Sequence, residues 1–194
     1  MTGARSHHVN SLPVALHCAP GTDMIGHSTM QPVSEKTLRA CFANASRKEV
    51  SVLTLPPAFD GLDWDRLDFL GWRDPKFKGR AYVVVPTLEG DPVGLILRRA
   101  DATPRRRAQC SWCNDVTLPN PVVFYSTRKV GAAGRNGATV GLLLCEDFEC
   151  SRNVRRLDPL PYPGFDREAL RDERIDALRL RTAGFVGNLL AAAT

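Results

Sequence analysis

Six cysteines occur in 194 residues, and four of them fall into two close pairs: Cys110 and Cys113 in "CSWC", Cys145 and Cys150 in "CEDFEC". Thiols spaced in this way can hold a metal, exchange electrons or cross-link the chain. A structural zinc site needs four soft ligands converging on a tetrahedron, with Zn–S bonds of about 2.3 Å. Two pairs joined by a stretch that reads as a hairpin meet that need: the first turn presents two sulfurs, the hairpin reverses the chain, and the second pair closes the site. In a treble clef the second pair straddles the end of a strand and the first turn of a helix, where the helix dipole favours thiolate over thiol. Cys145 ends the run "ATVGLLLC", and Cys150 opens "SRNVRR". A C-x-x-C redox pair belongs instead at the start of a helix in a βαβ setting, which the flanking sequence lacks. Disulfides belong to exported chains. Four unligated thiols would be a coincidence of spacing. Zinc is the favoured reading, with redox or disulfide chemistry as the alternative. A site filled by four cysteines leaves no position for water or substrate, so its expected role is structural. Cys18 and Cys41 find no partners, and Cys41 reads as a small core residue.

Other chemistry is poorly supplied. All four histidines (His7, His8, His17, His27) lie in the first 33 residues, a stretch of small, polar, Pro and Gly residues that reads as a disordered tail. The remainder has no imidazole for acid–base or triad chemistry. Asp63, Asp65 and Asp68 interrupt the apolar residues of "GLDWDRLDFLGWRDP". A calcium loop needs regularly offset oxygen ligands, a central glycine and a terminal glutamate. This segment reads instead as an aromatic anchor lying on a following sheet, with its acids solvated. An enzyme would have to be built on those three carboxylates, and the expectation is a non-enzymatic protein.

The elements that must position the cysteines follow from patterning. Ser34 caps a helix in "EKTLRACFANAS", where Leu38, Cys41, Phe42 and Ala45 recur at helical spacing. A second short helix in "RKEVSVLTL" is halted by Pro56 and Pro57. "RAYVVVP" and "PVGLILRR" form one hairpin, and "NPVVFYSTRK" and "ATVGLLL" form another across the glycine-rich "VGAAGRNG". "SRNVRR" is helical, and Asp166 caps a long terminal helix with Leu170, Ile175, Leu178, Phe185 and Leu189 as its buried stripe. The fold class is α+β: a short helical lead-in, antiparallel hairpins, a treble-clef zinc finger and a C-terminal helix. The division expected is a tail at 1–33, a helical lead-in and aromatic anchor at 34–79, and a hairpin plus zinc domain with its helix at 80–194.

Hydrophobic content of 43% and charged content of 24% are those of a globular chain. The apolar runs are far shorter than the roughly 20 residues of a membrane helix. "LPVALHCAPG" is a poor export signal: it is short, Arg5 is the only charge before it, and His17 stands where a lipoprotein cleavage site wants a small residue. A cytoplasmic monomer without membrane contact is expected, with Met24 or Met30 as alternative starts. The excess of basic over acidic residues, formally +5, lies wholly in residues 98–156, which hold eleven basic and five acidic groups. Zn²⁺ with four thiolates adds −2 there and leaves the segment basic. Arg105 to Arg107, Arg128, Lys129, Arg152, Arg155 and Arg156 are too many merely to offset the cluster. A basic patch on a zinc module can meet an acidic protein surface or phosphate backbones.

"LDFLGWRDPKFKGRAYVVVP", "CSWC", the hairpin after it and "CEDFECSRNVRR" together resemble the C-terminal treble-clef domain of the elongation-factor-G-binding proteins. That family includes the FusB-type fusidic acid resistance proteins. The resemblance runs over residues 30–190. It implies a zinc-containing protein that binds elongation factor G, the ribosomal translocase; resistance members promote release of the drug-stalled factor by binding alone. Cys110, Cys113, Cys145 and Cys150 match the metal ligands, and Arg128 and Lys129 fall where the family's zinc domain faces its partner. Arg152, Arg155 and Arg156 extend that basic surface. The chain departs from the resistance proteins in having only a short helical lead-in before the sheet. The other reading is a nucleic-acid-binding zinc finger that touches ribosomal RNA.

Overall fold

The apolar runs of the two hairpins build the centre of the molecule. A computed structural model describes residues 29–101, 108–115, 117, 120–157, 159 and 162–192. Most of the expected tail, Cys18 and Arg105 to Arg107 lie outside the described residues. Strands β1 (Leu70–Arg73), β2 (Arg80–Pro86), β3 (Pro92–Arg99), β4 (Val122–Arg128) and β5 (Thr139–Cys145) form one antiparallel sheet in chain order. Short helices α1 (Glu35–Ala40) and α2 (Arg47–Ser51) precede it. Helix α3 (Gly131–Arg135) lies between β4 and β5, and α4 (Cys150–Val154) and α5 (Arg167–Ala191) follow. The mixed fold, the hairpins, the lead-in helices and the terminal helix are those the sequence predicts.

β2 and β3 are apolar at consecutive positions because they are covered on both faces. On one side Ala81, Val83, Val85, Leu95 and Leu97 pack with the cysteine module and with Leu178, Val186 and Leu189 of α5. On the other, Tyr82, Val84 and Ile96 pack with Met30, Leu38, Phe42 and Leu53 of the lead-in. Met30 is therefore a core residue, and its N–H bonds Leu67 O at 2.9 Å. In α5, Leu178, Thr182, Ala183, Val186 and Leu189 are buried, whereas Leu170, expected in the stripe, is exposed. Asp166 caps the helix by accepting from the N–H groups of Glu168 and Ala169.

Two local expectations change. The first helix ends at Ala40 rather than running on through residue 46. Phe42 instead bridges to Gly94, and the Asn44 side chain bonds Ile96 N at 2.8 Å and Thr127 Oγ1 at 2.7 Å, tying the loop to the sheet. The aromatic anchor supplies edge strand β1, and its acids are not all solvated. Asp63 and Asp65 are exposed, but the Asp68 side chain has 0% exposure. It pairs with the Arg155 guanidinium and with Arg179 Nε at 2.8 Å, while Ser151 Oγ accepts from its backbone N–H at 3.0 Å. This charge joins the lead-in to α4 and α5. Glu49 works similarly: it completes a capping box with Ser46 and accepts from Arg128 at 2.7 and 2.8 Å. Burial would raise the Glu49 pKa, but the Ser46 and Arg128 bonds outweigh burial and hold it at about 2.

Asp68→Ala takes a shared buried carboxylate from two arginine side chains that are under one-fifth exposed. It should cost about 3 kcal/mol in urea unfolding; a loss below about 0.5 kcal/mol would show that the network is not structural. Because the Glu49 carboxyl lies below its ordinary value near 4.5, its contribution is present above that value and lost as pH falls towards 2. The stability gap between wild type and Glu49→Gln should therefore be full at neutral pH and shrink across that acid range. A gap independent of pH would contradict the pairing.

Candidate metal centre

The four paired cysteines converge although no two pairs share a strand. Cys110 and Cys113 sit on a turn ahead of β4, Cys145 ends β5, and Cys150 begins α4; all four are buried. Their Sγ atoms all lie within 4.8 Å of one another, with Cys110 to Cys150 at 3.6 Å and Cys113 to Cys145 at 3.7 Å. A tetrahedron of thiolates about 2.3 Å from zinc has edges of about 3.8 Å, so the donor set fits the ion. These separations are far beyond the ~2.05 Å of a disulfide. Among the described residues the first pair lies on a turn with no helix behind it, unlike a thioredoxin-type redox pair.

The backbone around the sulfurs is shaped for convergence. Asn114 takes φ 53°, a left-handed value that Asn tolerates, and its N–H reaches Cys110 O at 3.0 Å to close the first turn. Ser111 N–H donates to Leu143 O at 2.8 Å, fastening that turn to β5. In the second turn Phe148 takes φ 60°, unusual for so large a side chain. Its ring sits over Gly71 of β1, where a Cβ would lie 2.5 Å from Phe148 Cγ, and 5.2 Å from Tyr125. Trp112, between the first two cysteines, packs edge-on to Phe69 at 4.8 Å, and its carbonyl accepts from Arg181 of α5 at 2.7 Å. Asn153 Nδ2 lies 3.5 Å from Cys145 Sγ, a second-layer donor to a thiolate.

Electrostatics also favour a cation. Hydrogen bonds from Cys113, Cys145 and Cys150 push the Cys110 thiol down. Those same contacts, led by Cys110, push Cys145 and Cys150 well up. Cys110 would raise Cys113, but its contacts with Cys145 and Cys150 hold it down as well, so the first pair gives up its protons readily while the second resists until a divalent ion sits among them.

A family model described as the FBP C-terminal treble-clef zinc-finger matches residues 37–189. The chain belongs to this family. With the four cysteines positioned for a metal ion, the cofactor is the treble clef's zinc. A solved structure of the fusidic acid resistance protein FusC matches with a TM-score of 0.50 at 19% identity, covering 65% of this chain and 54% of that one. The chain thus spans about half the length of FusC, and the likeness is one of fold. No curated protein matches the chain in sequence.

Each residue of the treble-clef chain's "DFLGWRD" segment now has a physical duty. Asp68 anchors the arginines, Phe69 meets Trp112, and Leu70 and Trp72 face the lead-in core. Gly71 makes room for Phe148, Arg73 bonds Glu146 and Asp147, and Asp74 accepts from the Tyr82 hydroxyl. The five cations singled out in the sequence are placed differently from one another. Arg155 is held by Asp68, and Arg156 meets Asp115 at 3.5 Å and Thr117 Oγ1 at 2.8 Å. The Arg128 side chain keeps 41% exposure but is pinned to Glu49. Lys129 is partly exposed. Arg152 has 75% side-chain exposure and only a 3.9 Å contact with Glu149. Among the described residues no helix is long and apolar enough to cross a membrane.

Purified protein should carry one zinc per chain, and Cys113→Ser or a strong chelator should unfold it by several kcal/mol, since metal affinity is part of the folding free energy. Cys41→Ser, remote from the cluster, should retain the metal. A Cys113→Ser variant that stays folded without zinc would contradict the structural role.

Proposed function

We propose that this protein binds the translation elongation factor G and alters its residence on the ribosome, acting as a cytoplasmic monomer. The family match across the sheet, the metal centre and α5 is the observation that carries this reading. The FusB-type proteins it resembles act by binding that factor, and relief of fusidic acid stalling would follow from the same contact. A tetrathiolate site offers no open coordination position, which favours action by binding over catalysis.

The docking surface we assign lies where α4 meets the aromatic anchor. A cleft of about 460 Å³ there is lined by Leu62, Leu67, Trp72 and Phe148, with Arg66 and Arg152 on its rim beside the acids Asp63, Asp147 and Glu149. An apolar depression with charges of both signs at its rim suits an anchoring apolar side chain whose flanking acid meets the exposed Arg152. Arg128 and Lys129 lie at the far end of β4 and form a second basic region.

Calorimetric titration of the purified protein into purified elongation factor G should show saturable one-to-one binding, weakened about tenfold by Arg152→Glu with thermal stability unchanged. Absence of saturable binding up to about 100 µM would reject the function. Normal binding by Arg152→Glu would reject the surface.

A further inference from the structure

The sheet is covered unevenly. On the face that carries Gly94, Ile96 and Arg98, the lead-in covers β1 to β3 and reaches β4 through the Glu49–Arg128 pair. Register places Arg98 opposite Ser126 and Phe124 opposite Leu143, so by alternation Phe124, Ser126 and Arg128 share this face with Arg98. Phe124 is 44% exposed in the middle of a strand, while its neighbour Tyr125 is fully buried. Its ring lies over Gly141 of β5, where a Cβ would stand 2.1 Å from the ring tip. The ring is thus seated against backbone on one side and presented to solvent on the other. Leu143 lies directly across from it, and towards the end of the strand its neighbours are Ser126, Arg98, Gly141 and Thr139, so the apolar collar of a protein hot spot is open on that side.

At the end of β4 the same face runs into a cleft of about 270 Å³ between the loop before α2 and the glycine-rich turn. Its lining includes Asn44, Ser46, Arg128, Lys129, Gly134 and Arg135. Glu49, the carboxylate beside it, is already taken by Arg128 and Ser46. Lys129, Arg135 and Arg98 form no ion pair among the described residues, nor do the exposed Arg47 and Lys48 that follow Ser46 in the chain. An open aromatic ring on β4 shares its face with the uncompensated Arg98 of β3, and the uncompensated Lys129 and Arg135 border the cleft at the end of the strand, Lys129 being about 17 Å along the chain from Phe124. A nucleobase stacks on such a ring, and phosphates settle on such cations.

We infer that this face binds single-stranded RNA, with Phe124 stacking on a base and Arg98, Lys129 and Arg135 holding neighbouring phosphates. The choice of RNA over DNA rests on the proposed role at a translation factor; the stacking and the charge do not. This face is separate from the Arg152 cleft, so the two can fail independently.

The test is fluorescence anisotropy of a labelled single-stranded RNA of about ten nucleotides with the full chain at low salt, without elongation factor. Phe124→Leu fills the place on Gly141 but cannot stack, and should weaken binding about tenfold. Lys129→Glu with Arg135→Glu should do the same and lower the slope of log affinity on log salt by about one to two. Arg152→Glu should leave RNA affinity within about twofold, and zinc content and far-ultraviolet dichroism should confirm that each variant is folded. No RNA binding by wild type, unchanged binding by both Phe124→Leu and the double variant, or tighter binding of the matching DNA would overturn the inference. Loss of factor binding with RNA binding intact would reject the proposed function and leave this face standing.

Discussion

Four sulfurs drawn to within 4.8 Å of one another form a stable arrangement only if something positive lies among them. Much of the surrounding structure depends on that condition. α4 has five residues, too few to persist as a helix by its own hydrogen bonds. The turn carrying Cys110 and Cys113 belongs to no strand and meets β5 through the Ser111 bond to Leu143. A divalent ion joins both to the end of β5, and the apolar residues packed around them complete the core on that side of the sheet. The left-handed residues Asn114 and Phe148 are the local cost of turning the chain sharply enough for the sulfurs to meet.

Buried charge performs the corresponding task farther out. Asp68 binds arginines from α5 and from just after α4, and Asp115 binds Arg156 and Arg174. Much of the basic surplus of residues 98–156 is therefore internal. Arg99 answers Glu146, Arg128 answers Glu49 and Arg155 answers Asp68. Among the described residues of that segment, the cations left at the surface are fewer, and they fall into two groups, one at α4 (Arg152) and one towards the end of β4 (Arg98, Lys129 and Arg135). A count of charges along the chain merges those groups; the fold separates them.

Features set by local chemistry were legible in the sequence: the cysteine spacing, both hairpins, and the Ser34 and Asp166 caps. Features set by distant partners were not. Asp68 reads as a solvated acid because its arginines lie 87 and 111 residues away. β1 was hidden because it is only four residues long and holds Gly71, a residue strands disfavour but one needed here for the ring of Phe148. Alternation along "VVFYSTR" requires Phe124 and Tyr125 to point to opposite faces, but only the register with β5 and the reach of the lead-in decide which ring is open. The helical turn of α3 lies in a glycine-rich loop, where propensity argues against a helix.

A single tetrahedral tetrathiolate organises the chain, and cobalt(II) reports on that geometry through its spectrum. Titrating metal-free protein with cobalt(II) should produce intense d–d bands and sulfur-to-metal charge transfer, saturating at one ion per chain and displaced by zinc. A weak octahedral spectrum, or full intensity retained in Cys145→Ser, would contradict it.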